Sequence, residues 1–231
     1  MSTVTYKKRN VDLLSNLLPN ITNEKLDQYA AYFSEKTSQI KYQKRGVMPL
    51  EMFTIYVFCK ELNIDTLLES GTARGYSIEL LASVMPDIKM ITAENFERKY
   101  NYEVPTKERL SHLKNITFVN GDGTNILPNV ATSLPEASIG AFIDGPKDEA
   151  AIVLANKMMQ FKNVNFVSCH DLHSGLNYCP YNDIEFRQKY EYLNNEVYSL
   201  PIEGAGGMSS TFEGETIKDR WPNGYGITLS I

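Results

Sequence analysis

No stretch of this 231-residue chain approaches the roughly 20 consecutive apolar residues that a membrane-spanning helix needs. The residues before Asn10 are polar and basic, without an apolar signal core, so the sequence predicts a soluble, cytoplasmic protein with no membrane partner. Cysteine is scarce. The three present, Cys59, Cys169 and Cys179, form an odd count with no Cys-x-x-Cys pair, which suits reduced thiols rather than a disulfide framework. Excess positive charge is missing too, with 23 Lys and Arg against 28 Asp and Glu. The resulting net charge of -5 gives no general attraction to a phosphate backbone and argues against a nucleic-acid partner. No internal repeat, low-complexity tract or linker divides the chain.

What is present is enough apolar residue, 42%, to bury one full core, and a change of rhythm along the chain. Up to Phe58 the pattern is helical: Val11 to Leu18, a second helix capped at Thr22 or Asn23, and a third from Pro49 or Leu50 to Leu62. Beyond Ile64 strands and helices alternate, which predicts an α/β fold with a doubly wound, mostly parallel sheet preceded by N-terminal helices. Expected strands are Thr66 to Glu69, Met90 to Ala93, Ile116 to Val119, Ile139 to Ile143, Asn165 to Cys169 and Tyr225 to Ile231. Leu127 to Pro135 fits a helix or irregular crossover, and Asp183 to Asn195 reads as a helix. The whole is expected to form one domain, residues 1–58 as a helical cap and 59–231 as a Rossmann-like core.

The turn Glu69-Ser70-Gly71-Thr72-Ala73-Arg74-Gly75 joins the first strand to its helix and brings bare backbone toward a ligand. Its glycines stand four apart, unlike the Gly-x-Gly-x-x-Gly of dinucleotide sites, and Glu69 would repel a pyrophosphate while favouring a ligand with a cation. Glu94 follows the second strand, where a carboxylate can accept from both hydroxyls of a ribose. Gly121-Asp122 ends the third strand and Asp144-Gly145-Pro146-Lys147 the fourth. His170-Asp171, with His173 beyond, ends the fifth.

Glu69-x-Gly71-x-x-x-Gly75, Glu94, Gly121-Asp122 and Asp144, in this order, resemble the class I S-adenosylmethionine-dependent methyltransferases. The Asp-Gly-Pro-Lys turn and the following His-Asp are most similar to the small-molecule O-methyltransferase-like branch. The resemblance covers about Thr54 to Ile231 and implies an antiparallel last strand and a small-molecule acceptor. S-adenosylmethionine would lie against Glu69, Gly71, Thr72, Gly75 and Glu94, with Asp122 facing the adenine amine. Asp144, His170 and Asp171 admit three readings: ligands of a divalent metal such as magnesium, metal-free acid-base catalysts, or structural caps of their loops. A non-catalytic ligand-binding protein on the same scaffold and a nicotinamide-linked oxidoreductase are the competing functions. Tyr76, Phe96, Tyr178 and Tyr181 are candidates to line a pocket, and the oligomeric state stays open.

Overall fold

A computed structural model describes residues 18–43, 46–47, 49–95, 103–146 and 148–170, and the backbone of four strands within 190–230. Helix α1, Asn23–Thr37, starts where the Thr22 hydroxyl accepts from the Lys25 amide at 3.2 Å, a side-chain cap of the kind threonine favours. Helix α2, Pro49–Glu61, begins on a proline, whose missing N–H costs nothing in a first turn. Then come β1 (Thr66–Ser70), α3 (Tyr76–Val84), β2 (Lys89–Glu94), α4 (Glu103–Arg109) and β3 (Ile116–Asn120). They are followed by α5 (Gly123–Ser133), β4 (Ile139–Ile143), α6 (Asp148–Met158) and β5 (Val164–His170). The last strands are β6 (Tyr190–Asn194), β7 (Thr211–Phe212), β8 (Glu215–Thr216) and β9 (Gly226–Ser230).

The main sheet has the order β3-β2-β1-β4-β5-β9-β6. Strands β1 to β5 pair in parallel, and β9 lies antiparallel between β5 and β6, as the resemblance implies. Alternation along each strand sorts side chains to two faces. Leu67, Met90, Phe142 and Phe166 belong to a core shared with α1, α2 and α3. Leu68, Ile91, Ala141 and Val167 pack with Leu127 of α5 and Leu154 and Met158 of α6. Cys59 and Cys169 are buried, one in each of these two cores.

Three differences from the sequence reading stand out. Tyr190–Asn194 is a strand, not helix, because its Tyr-Glu-Tyr alternation and β-favouring aromatics find a partner ladder in β9. The crossover before β4 is a helix that begins at Gly123, earlier than Leu127, because Asp122 caps it. A short helix, α4, occupies the charged segment after β2. The reading of Val11 to Leu18 falls outside the described residues except at Leu18, which is buried.

Helix α2 is part of the sheet's own core: Phe53, Ile55, Val57 and Phe58 are wholly buried, and the Phe58 ring meets Phe166 of β5 at 5.6 Å between centroids. Phe58→Ala is therefore expected to cost about 3–5 kcal/mol, read as a lower urea midpoint with an unchanged m-value. Loss of only a few tenths would show α2 to be detachable from the sheet.

Candidate functional site

The direction of chain progression reverses between β1 and β4, and a crevice opens at the carboxyl ends of such neighbours. Here the two strand ends are joined backbone to backbone. The Asp144 and Gly145 amides donate to the Ser70 carbonyl at 2.8 and 2.9 Å, and the Ser70 hydroxyl donates to the Gly145 carbonyl. Gly71, at φ 99°, lies so close that a Cβ would stand 2.6 Å from the Gly145 nitrogen, so no other residue fits without moving the β4 exit.

The loop above this contact holds itself. The Gly71 amide donates to the Ala93 carbonyl, the Ala73 amide to Glu94 Oε2 at 2.8 Å, and the Gly75 amide to the Thr72 carbonyl. With these three N–H groups committed internally, fewer of the loop's amides remain for a pyrophosphate. Gly75, at φ 71°, backs onto Thr106 and Leu110. Arg109 donates to the Arg74 carbonyl at 2.6 Å and pairs with Glu79 of α3, so α4 fastens the loop from outside.

Glu69 does not face the crevice. As an inward position of β1 it is wholly buried, accepting from the hydroxyls of Ser77 and Thr92, while Thr92 in turn contacts the Thr72 hydroxyl. Burial pushes the Glu69 carboxyl up to about 7; the two hydroxyls oppose that rise, and the charges of Asp144 and Glu94 add to it. Thr72, 2% exposed, is likewise turned inward, and Tyr76 is buried beside Tyr42.

The acids that do reach the edge are Glu94 and Asp144, both half-buried, and Asp122, which is exposed. Asp122 caps α5, its Oδ1 accepting from the Thr124 amide at 2.9 Å. Asp144 Oδ1 lies 2.7 Å from His170 Nδ1, so the two strand ends meet as the sequence reading expects of neighbours. The other ring nitrogen, Nε2, lies 3.0 Å from Glu51 Oε2 on α2. Both ring nitrogens of His170 therefore face carboxylates, one from β4 and one from α2. Among the described residues no group of three or more Asp, Glu, His or Cys is arranged to hold a metal ion. Asp171, Lys147, His173, Phe96, Tyr178 and Tyr181 lie outside the described residues.

Glu51 is the residue that motif reading missed. Its signal was available: it is the single charged residue between Pro49 and Cys59, in a helix apolar on every side, and a charge there must be buried and therefore paired.

No protein-family model and no curated protein matches the sequence. Solved structures do. A precorrin-6y C5,15-methyltransferase from Geobacter metallireducens matches with a TM-score of 0.54 at 11% identity, over 85% of this chain and 95% of that one. A proposed O-methyltransferase from Klebsiella pneumoniae gives 0.52 at 14% identity, over 100% and 98% of the two chains. The Podospora anserina methyltransferase PaMTH1, solved with S-adenosylhomocysteine bound, gives 0.50 at 14% identity, over 88% and 86%. The chain has the class I methyltransferase fold.

Glu69 supplies a test of the buried network. Its proton is held to about pH 7 in the native chain but released near pH 4.5 when unfolded, so the native state binds more protons between those values. Its contribution to stability is full below about pH 4.5 and is lost as pH rises through 7. Glu69→Gln, which keeps acceptors and donors but cannot ionise, should flatten the fall in Tm between pH 5 and 8. A variant with the parent's slope would place that titration elsewhere.

Proposed function

We propose that this protein is an S-adenosylmethionine-dependent methyltransferase acting on a small-molecule acceptor, with oxygen as the methylated atom. The observation that carries the reading is the composition of the sheet edge. Glu94, Asp122 and Asp144 stand at the ends of β2, β3 and β4 around a loop whose Gly71, Ala73 and Gly75 amides are bonded within the protein. Such a rim accepts hydrogen bonds and favours positive charge. It suits a ligand with an ammonium, a sulfonium, ribose hydroxyls and an exocyclic amine better than a pyrophosphate.

In this reading the Gly71 to Gly75 loop lies against the amino acid and sugar portions, Glu94 takes the ribose hydroxyls, and Asp122 faces the adenine amine. Glu69 and Thr72 shape the loop from beneath rather than touch the ligand. When bound, the cofactor supplies an electrophilic methyl group on a sulfonium. The chain's part is to hold an acceptor hydroxyl in line with that methyl and to take its proton. Asp144 is placed to receive the proton, because His170, 9% exposed, is held behind it. Asp171, next to His170 in the sequence, is the further acid this reading names as base or orienting group.

Calorimetric titration with S-adenosylhomocysteine, with and without magnesium, tests the assignment. Binding to the parent chain is expected in both buffers. Glu94→Ala should weaken it by about tenfold, the scale of one lost charge-assisted hydrogen-bond set. Gly71→Val should abolish it, while Asp144→Ala should retain most affinity and lose turnover once an acceptor is supplied. Thermal stabilisation by a dinucleotide but not by S-adenosylhomocysteine would overturn the proposal. Binding with no transfer to any acceptor would favour the non-catalytic scaffold.

A further inference from the structure

Glu51 enters the site from a helix that precedes the whole strand-and-loop motif. Its carboxylate is 3% exposed, in a helix whose neighbouring residues Met52, Phe53 and Ile55 are wholly buried. Placing a carboxylate there is costly without a partner of opposite charge or strong hydrogen-bonding capacity. The partner is the imidazole of His170, reached across 119 positions of sequence. Glu51 also lies in the first turn of its helix, where an acidic side chain is favoured.

Exposure rises in order along the three groups, from 3% at Glu51 to 9% at His170 and 20% at Asp144. The interior acid holds the ring, the ring holds the edge acid, and only the edge acid is positioned to meet a ligand. Two carboxylates, one at each ring nitrogen, hold the ring at both ends and leave neither nitrogen unclaimed. A purely structural pair would need only one acid. The ring would then be able to rotate about its Cβ–Cγ bond and would not fix Asp144.

We propose that Glu51 is a positioning residue. It holds His170 at Nε2 with Nδ1 toward Asp144, and so fixes the edge carboxylate as the proton acceptor. The proposal deepens the methyltransferase reading, on which the role of Asp144 rests. Its test is made on the ring itself.

Nitrogen-15 NMR of the uniformly labelled full-length chain can resolve the imidazoles of His112, His170 and His173, with His170→Gln identifying the signals of interest. In the parent chain the His170 ring should give one set of signals with a slowly exchanging ring proton, and added magnesium or zinc should leave the ring without a coordinated nitrogen. Glu51→Gln keeps a hydrogen-bonding group but removes the carboxylate, and should shift the His170 nitrogen signals. Glu51→Leu suits the apolar surroundings and should shift them further, because Nε2 loses its partner. Binding of S-adenosylhomocysteine should stay within about twofold in both variants, because Glu51 acts through His170. Parent-like His170 signals in either folded variant would overturn the proposal, as would a metal-coordinated His170 in the parent. If S-adenosylhomocysteine binds none of these proteins, the cofactor reading fails while the imidazole spectra still decide the role of Glu51.

Discussion

The architecture turns on the contact between the ends of β1 and β4, where the Ser70 carbonyl accepts two amides from Asp144 and Gly145. Parallel strands that leave their sheet in opposite directions normally diverge at this point and open a crevice. The three hydrogen bonds at Ser70 hold the floor of that crevice shut, so the ligand space lies above a rigid base. The absence of a Cβ at Gly71 lets the two backbones approach this closely. Everything on the edge is positioned from there: the loop rises from Gly71, and Asp144 starts from the same joint.

Two buried acids support the edge by different chemistry. Glu69 is surrounded by hydroxyls, which donate hydrogen bonds but bring no countercharge, so burial dominates and the carboxyl stays protonated up to about pH 7. Glu51 is met by an imidazole, which can carry a charge of its own. The first acid ties β1, β2 and α3 into one body beneath the loop. The second ties α2 to the end of β5. One network secures the cofactor side of the proposed site and the other the acceptor side.

Strand ends were legible in the sequence because each combines a short apolar run with an acid and a glycine, and local rules act on adjacent residues. Glu94, Asp122 and Asp144 therefore stood out, and the structure brings them to one edge. Direction was harder to read. Glu69 and Thr72 share the motif but turn inward, because β1 is buried on both faces and its pleat carries Glu69 to the α3 side. Glu51 was missed because its partner is far away in sequence, and the Tyr190–Asn194 strand because its pairing with β9 decides its conformation. Local pattern specifies an element; long-range pairing specifies which way its polar groups point.

The acidic rim carries a consequence for turnover under the proposed function. An S-adenosylmethionine sulfonium is positive, and loss of the methyl leaves a neutral thioether. Carboxylates at the edge attract the first and have one charge less to attract in the second, so the field that assembles the complex weakens after transfer. The proton moves the same way. As the acceptor hydroxyl gives its proton to Asp144, the rim loses a negative charge next to the departing product. Glu51 matters to this balance because it holds His170 from the buried side. It keeps the imidazole in place while the charge of Asp144 changes, and the edge can return to its starting state when that proton passes to solvent.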